Sequence, residues 1–151
     1  MTAFSIKIVD ENIVESYEIP CCVGEIQIGE FKETFEMPLE YWTMEGNQLQ
    51  WRAGLERIKT YDKSCLVAEI QDPKKAPHVN LWVLYRDTLA NKIYIQNHLF
   101  FGKRFTKVLK GQSFNLDTCY SFIIPRKTES GGEFKVSEWE VELKDFIAAK
   151  I

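Results

Sequence analysis

The chain has 151 residues, 45% of them hydrophobic and 13% aromatic, and a net charge of −3. A chain of this size and composition buries a core without metals or disulfides, which excludes a disordered tail and a cross-link-dependent miniprotein. No run approaches the ~20 apolar residues that span a bilayer, and Met1-Thr2-Ala3-Phe4-Ser5-Ile6-Lys7 lacks the basic-then-apolar start of a signal peptide, so a cytosolic location without membrane contact is expected.

Phe4 to Val9 alternates apolar and polar residues and predicts a first strand. Asp10-Glu11-Asn12 reads as a turn, and Val14 to Ile19 as a short second strand closed by Pro20. Glu25 to Phe35 is a longer strand with a fault in its parity. Ile26 and Ile28 share one face, whereas Phe31, Phe35 and Met37 share the other. A β-bulge at Gly29-Glu30 reconciles the two sets. Pro38 ends this strand. Thr43 then caps a helix with Glu45 in its first turn, and Met44, Trp51, Leu55 and Ile58 fall on one stripe. Gly46 and Gly54 weaken that helix by roughly 1 kcal/mol each relative to alanine, so packing must hold it.

Ser64 to Gln71 predicts another strand, and Asp72 to Pro77 a loop. Leu81 to Phe101 is the stretch around which the chain is organised. Its two arms, Leu81 to Arg86 and Lys92 to Phe101, are rich in β-branched and aromatic residues and flank a polar loop, the pattern of a β-hairpin. The first arm is apolar at successive positions and belongs mid-sheet with cover on both faces. Phe101, Phe105, Val108 and Leu109 mark an amphipathic helix stopped at Gly111, with Lys103, Arg104, Lys107 and Lys110 outside. Asn115 caps a short helix through Ile123, which Pro125 ends. Glu129-Ser130-Gly131-Gly132 is a turn, Glu133 to Val141 the last strand, and Leu143 to Ala149 a terminal helix with Phe146 and Ile147 facing in. Together the elements predict an α+β fold in a single domain over 1–151: a twisted antiparallel β-sheet packed with a few helices.

No catalytic constellation emerges. There is no GxSxG, P-loop or HExxH, and two histidines without a flanking motif make no triad, so neither enzyme activity, cofactor nor small-molecule substrate is expected. Cys21, Cys22, Cys65 and Cys119 show no CxxC spacing and read as buried free thiols rather than metal ligands. Charge is what remains. Residues 1–45 carry ten acids and two bases, and residues 101–111 carry four bases and no acid. An acidic surface repels nucleic acid and attracts basic proteins. Candidate binding residues are Glu25, Glu30, Glu33 and Glu36, with Glu138 and Glu140 as a second patch. The first group also suits an edge strand kept soluble by charge. The many aromatics leave open an alternative, a single-stranded nucleic-acid binder, although Trp82, Tyr85 and Tyr94 lie in the most apolar part of the chain.

Pro38-Leu39-Glu40-Tyr41-Trp42, the helix with Trp51 and Leu55, Trp82-Val83-Leu84-Tyr85, Tyr94-Ile95-Gln96-Asn97 and Val136-Ser137-Glu138-Trp139 with Leu143 follow one another in an order that resembles the CdiI immunity proteins of bacterial contact-dependent growth inhibition. The resemblance covers about residues 35–143 and is strongest to the group paired with RNase-type CdiA toxin domains. It implies a Whirly-like fold and a cytosolic protein that binds a CdiA C-terminal toxin, one to one, and blocks its active site. The matching residues are hydrophobic framework, so no catalytic role carries over. Residues 1–30 and 103–110 are poorly matched.

Overall fold

The computed structural model describes residues 4–128 and 136–147. Strands β1 (Phe4–Ser16), β2 (Ile19–Ile28) and β3 (Phe31–Pro38) form one antiparallel sheet in that order. Strands β4 (Lys63–Ile70), β5 (His78–Asp87), β6 (Lys92–Phe101) and β7 (Trp139–Glu142) form a second. Helix α1 (Met44–Arg57) links the sheets, α2 (Lys103–Leu109) and a 3₁₀ helix (Thr118–Phe122) follow β6, and α3 (Leu143–Ile147) follows β7. The fold is α+β, as expected, with its strands divided between two sheets.

The four-stranded sheet is the middle layer. On one face Leu66, Ala68, Trp82, Leu84, Ile93 and Ile95 meet Phe4, Ile6, Ile26, Ile28 and Met37 of the three-stranded sheet, with Trp51 and Phe146 completing the cluster. On the other, Val67, Leu81, Val83 and Phe100 lie under Phe105, Leu109, Phe114 and Phe122. β5 is therefore covered on both faces, which is why its sequence is apolar without alternation. All four cysteines are buried and free.

Helix α1 closes the outer edge of β4. Thr43 starts the helix by accepting the Gly46 N–H at 3.0 Å. One turn on, the Gln50 amide acts like the peptide of a neighbouring strand: Nε2 donates to the Cys65 carbonyl at 2.9 Å, and Oε1 accepts the Val67 N–H at 2.7 Å. Trp51 Nε1 donates to the Val67 carbonyl at 2.8 Å. Gly54 makes this approach possible. A Cβ there would lie 2.4 Å from the Cys65 carbonyl oxygen. The residue that weakens the helix by propensity is the one that lets it dock.

The N-terminal expectations need correction. Asp10-Glu11-Asn12 does not turn the chain: β1 runs through it. The partners shift from Ile8 with Gly24 to Asp10 with Val23 and then Val14 with Cys21. The Asn12 N–H bonds to the Asp10 carboxylate at 2.9 Å, so the turn chemistry produces a bulge instead. Pro20 does not close a strand but sits second in β2, where a missing N–H is tolerated. Gly29-Glu30 is a two-residue hairpin turn, with Ile28 opposite Phe31. Gly29 has φ 61°, the conformation such a turn asks of its first residue. Reversal of the chain explains the parity fault, because Ile26 and Phe35 reach the same core from opposite directions.

Phe101 belongs to the end of β6 rather than to α2 and is exposed. The N-cap of the 3₁₀ helix is Asp117 rather than Asn115; Asn115 orders the turn before it, its Oδ1 accepting the Asp117 and Thr118 N–H groups at 2.8 and 2.9 Å. The turn placed at 129–132 and the start of the last strand at 133–135 lie outside the described residues. Of that strand, Trp139–Glu142 is regular, and Glu138 is drawn aside.

Candidate interaction surfaces

Glu138 and Glu140 are bound within the molecule. Arg126 grips Glu138 with Nε to Oε2 at 2.7 Å and Nη2 to Oε1 at 2.6 Å, and its guanidinium lies 3.8 Å over the Tyr94 ring. Gln96 Nε2 adds a third bond to Glu138 at 2.8 Å and donates to the Lys127 carbonyl at 2.8 Å. The Arg126 bonds hold the Glu138 carboxyl below the usual carboxylate range. His98 continues the network, its Nε2 2.9 Å from Gln96 Oε1, and burial lowers its pKa. The network ties 124–128 across β6. Glu140 pairs with Lys92 at 3.1 Å.

The other four predicted carboxylates divide. Glu25 on β2 stands opposite Lys7 of β1 and diagonally from Lys32 of β3, so its charge is locally answered. Glu30 is exposed in the β2–β3 turn. Glu33 and Glu36 are exposed on β3 but point to opposite faces of that strand. Glu30, Glu33 and Glu36 have no ion-pair partner among the described residues.

The structure adds a carboxylate the sequence reading missed. A register shift between Val67 and Glu69 puts a bulge in β4 and turns Glu69 toward β3. Burial raises the pKa of this half-buried carboxyl, and Glu36 and then Glu33 raise it further. Cys21, buried nearby, is raised by burial and by Glu36 and Glu69. Glu69, Glu36 and Cys21, with Tyr17, Thr34 and Gln71, line an open groove of about 650 Å³ between the tip of the β1–β2 hairpin and the end of β4. The available signal was the single acid in the otherwise apolar run Cys65-Leu66-Val67-Ala68-Glu69-Ile70. Trp82 and Tyr85 are buried and offer no stacking platform to a nucleic acid.

A family described as the CdiI N-terminal domain matches residues 37–149. The chain belongs to that family. It is 28% identical over 125 residues to the immunity protein CdiI of Enterobacter cloacae, covering 82% of this chain and 81% of that one. Its fold is similar to a chain in the CdiA-CT/CdiI toxin and immunity complex from Enterobacter cloacae, with a TM-score of 0.79, 25% identity, and coverage of 96% of this chain and 94% of that one. The family match begins at Met37, so β1, β2 and most of β3 precede the matched stretch, although the fold likeness extends over nearly the whole chain.

Proposed function

We propose that this chain is an immunity protein that binds a CdiA C-terminal toxin domain one to one and neutralises it by covering its active site, the toxin being an RNase. The observation that carries the reading is the paired likeness, in sequence to an immunity protein and in fold to a chain of a toxin and immunity complex. Physical chemistry supports it. An RNase must hold phosphates and is therefore basic around its active site. The N-terminal sheet presents Glu30, Glu33 and Glu36, and β4 adds the groove carboxylate Glu69, all without an ion-pair partner among the described residues, a field that draws in such a partner. Glu25 contributes less because Lys7 and Lys32 flank it. Glu138 and Glu140, each holding a base of its own chain, are left out of the contact. The protein acts in the cytosol of the cell it protects and needs no cofactor.

The test is protection. Cells expressing the CdiA C-terminal toxin domain encoded next to this chain's gene are followed with and without this chain, by growth and by the integrity of ribosomal RNA. Restored growth with intact RNA is expected. Restored growth against a toxin that leaves RNA intact would remove the RNase assignment, and absence of protection would overturn the reading.

A further inference from the structure

Nine large hydrophobic side chains are exposed among the described residues, and four of them sit together on the distal half of the β1–β2 hairpin: Val9 at 45%, Ile13 at 61%, Val14 at 59% and Tyr17 at 97%. Around them the charge has one sign. Residues 8–24 carry Asp10, Glu11, Glu15 and Glu18 and no base. An exposed apolar stripe rimmed by charge marks an interaction site rather than ordinary surface.

The hairpin tip adds an independent observation. Ser16 pairs with Ile19, so Tyr17 and Glu18 are the whole turn, with φ of 51° and 64°. A two-residue turn with both φ positive suits Asn-Gly. Tyrosine and glutamate there hold a strained backbone, and strain of this kind collects at functional positions. It keeps a nearly bare tyrosine at the tip of the hairpin, and tyrosine is among the residues that dominate binding hot spots. Beneath it the groove wall carries Glu36 and Glu69, so a lysine or arginine passing the ring meets two carboxylates.

The charge decides the occupant. A second copy laid along β1 would set Asp10, Glu11, Glu15 and Glu18 against their own equivalents, and the two register shifts in β1 break the straight edge that self-pairing needs. A basic partner meets neither obstacle. We propose that the distal half of the β1–β2 hairpin, residues 9–20, is the docking surface for a basic face of the toxin domain. Tyr17 is its anchor, Ile13 and Val14 its apolar contact, and the groove below takes a cationic side chain. This rests on the reading that the partner is a CdiA toxin domain. The segment also precedes the stretch that the family match covers.

The experiment replaces Tyr17→Asn together with Glu18→Gly, residues better suited to the turn, so that lost binding cannot be unfolding. Wild type and the double variant are titrated against the toxin domain by interferometry, and both are melted. The expected result is an unchanged or higher Tm with affinity reduced by roughly 30-fold or more. Ile13→Ser should weaken binding in the same direction. If wild type binds and the double variant binds equally well, the hairpin is not the docking surface, while the immunity reading stands. If wild type itself does not bind the toxin, that reading falls and this inference with it.

Discussion

β4 and β1 are both edge strands, and the molecule treats them in opposite ways. The outer edge of β4 is closed by a helix. Gln50 and Trp51 take up its free peptide groups, and Gly54 lets the helix come close enough to do so. The distal half of β1 is left open, bulged, acid-rich and apolar. An unpaired edge invites association, and proteins close it or guard it with charge. Here closure belongs to the stretch that the family match covers, residues 37–149, and guarding to the strands before it. With the proposed docking, the contrast would separate what holds the fold from what meets a partner, and it can be broken at either end.

The largest effect is expected at the closed edge. Trp51 is fully buried between the sheets and bonded to β4, so Trp51→Ala should cost ~3–5 kcal/mol, read as a loss in denaturant midpoint. Immunity would then fail through unfolding. A near-normal midpoint would show that α1 does not hold the edge. Gln50→Ala comes next. It strands a buried N–H and a buried C=O, each worth about 1–3 kcal/mol when left unmade. Restoration of most of that loss by Gln50→Glu would contradict the assignment, because a carboxylate cannot donate to the Cys65 carbonyl.

Gly54→Ala sharpens the comparison through its sign. Helix propensity alone predicts a gain of about 1 kcal/mol. The 2.4 Å approach to the Cys65 carbonyl predicts the reverse, a loss of about 1–3 kcal/mol, because backbone must move to admit the methyl group. A stabilised Gly54→Ala protein would mean that α1 rides looser on β4 than described.

These positions also mark where the sequence is legible. The β5–β6 hairpin could be read because its apolar run and polar loop are local signals, and the Thr43 cap because capping is decided within one turn. The role of Gly54 is not legible locally, since it depends on the Cys65 carbonyl of the following strand. The sequence marks Gly29 as special but does not distinguish a turn from a bulge: a parity switch has the same appearance whether a strand bulges or reverses. Of the site, the acids of β3 were visible as a cluster, but which face each takes depends on register. Glu138 looked like surface because its partner, Arg126, is brought to it by tertiary packing. Glu69 was hidden inside an apolar run whose bulge no local rule announces.

On β3 and the turn before it the effects are kinetic. Replacing Glu30→Lys with Glu33→Lys reverses two unpaired carboxylates and should slow toxin association about 10-fold at low salt, with little change in Tm. The gap should shrink as salt screens the field. An association rate indifferent to both reversals would leave the apolar hairpin, not charge, as the source of recognition.

The smallest effect falls on Glu69, where the two edges approach each other. Its folded pKa is raised above the usual 4.5 because burial and the charges of Glu36 and Glu33 disfavour its ionised form. A raised carboxyl gives stability that is present below about 4.5 and is lost as pH climbs through the folded value. At neutral pH the ionised Glu69 therefore weakens the fold slightly. Glu69→Gln should melt higher than wild type at pH 7, and the two curves should converge as pH is brought below 4.5. A Gln variant that melts lower at pH 7 would mean that the carboxylate already has a cationic partner in the free protein. The groove beneath Tyr17 would then be filled from within rather than held open for a toxin's lysine or arginine.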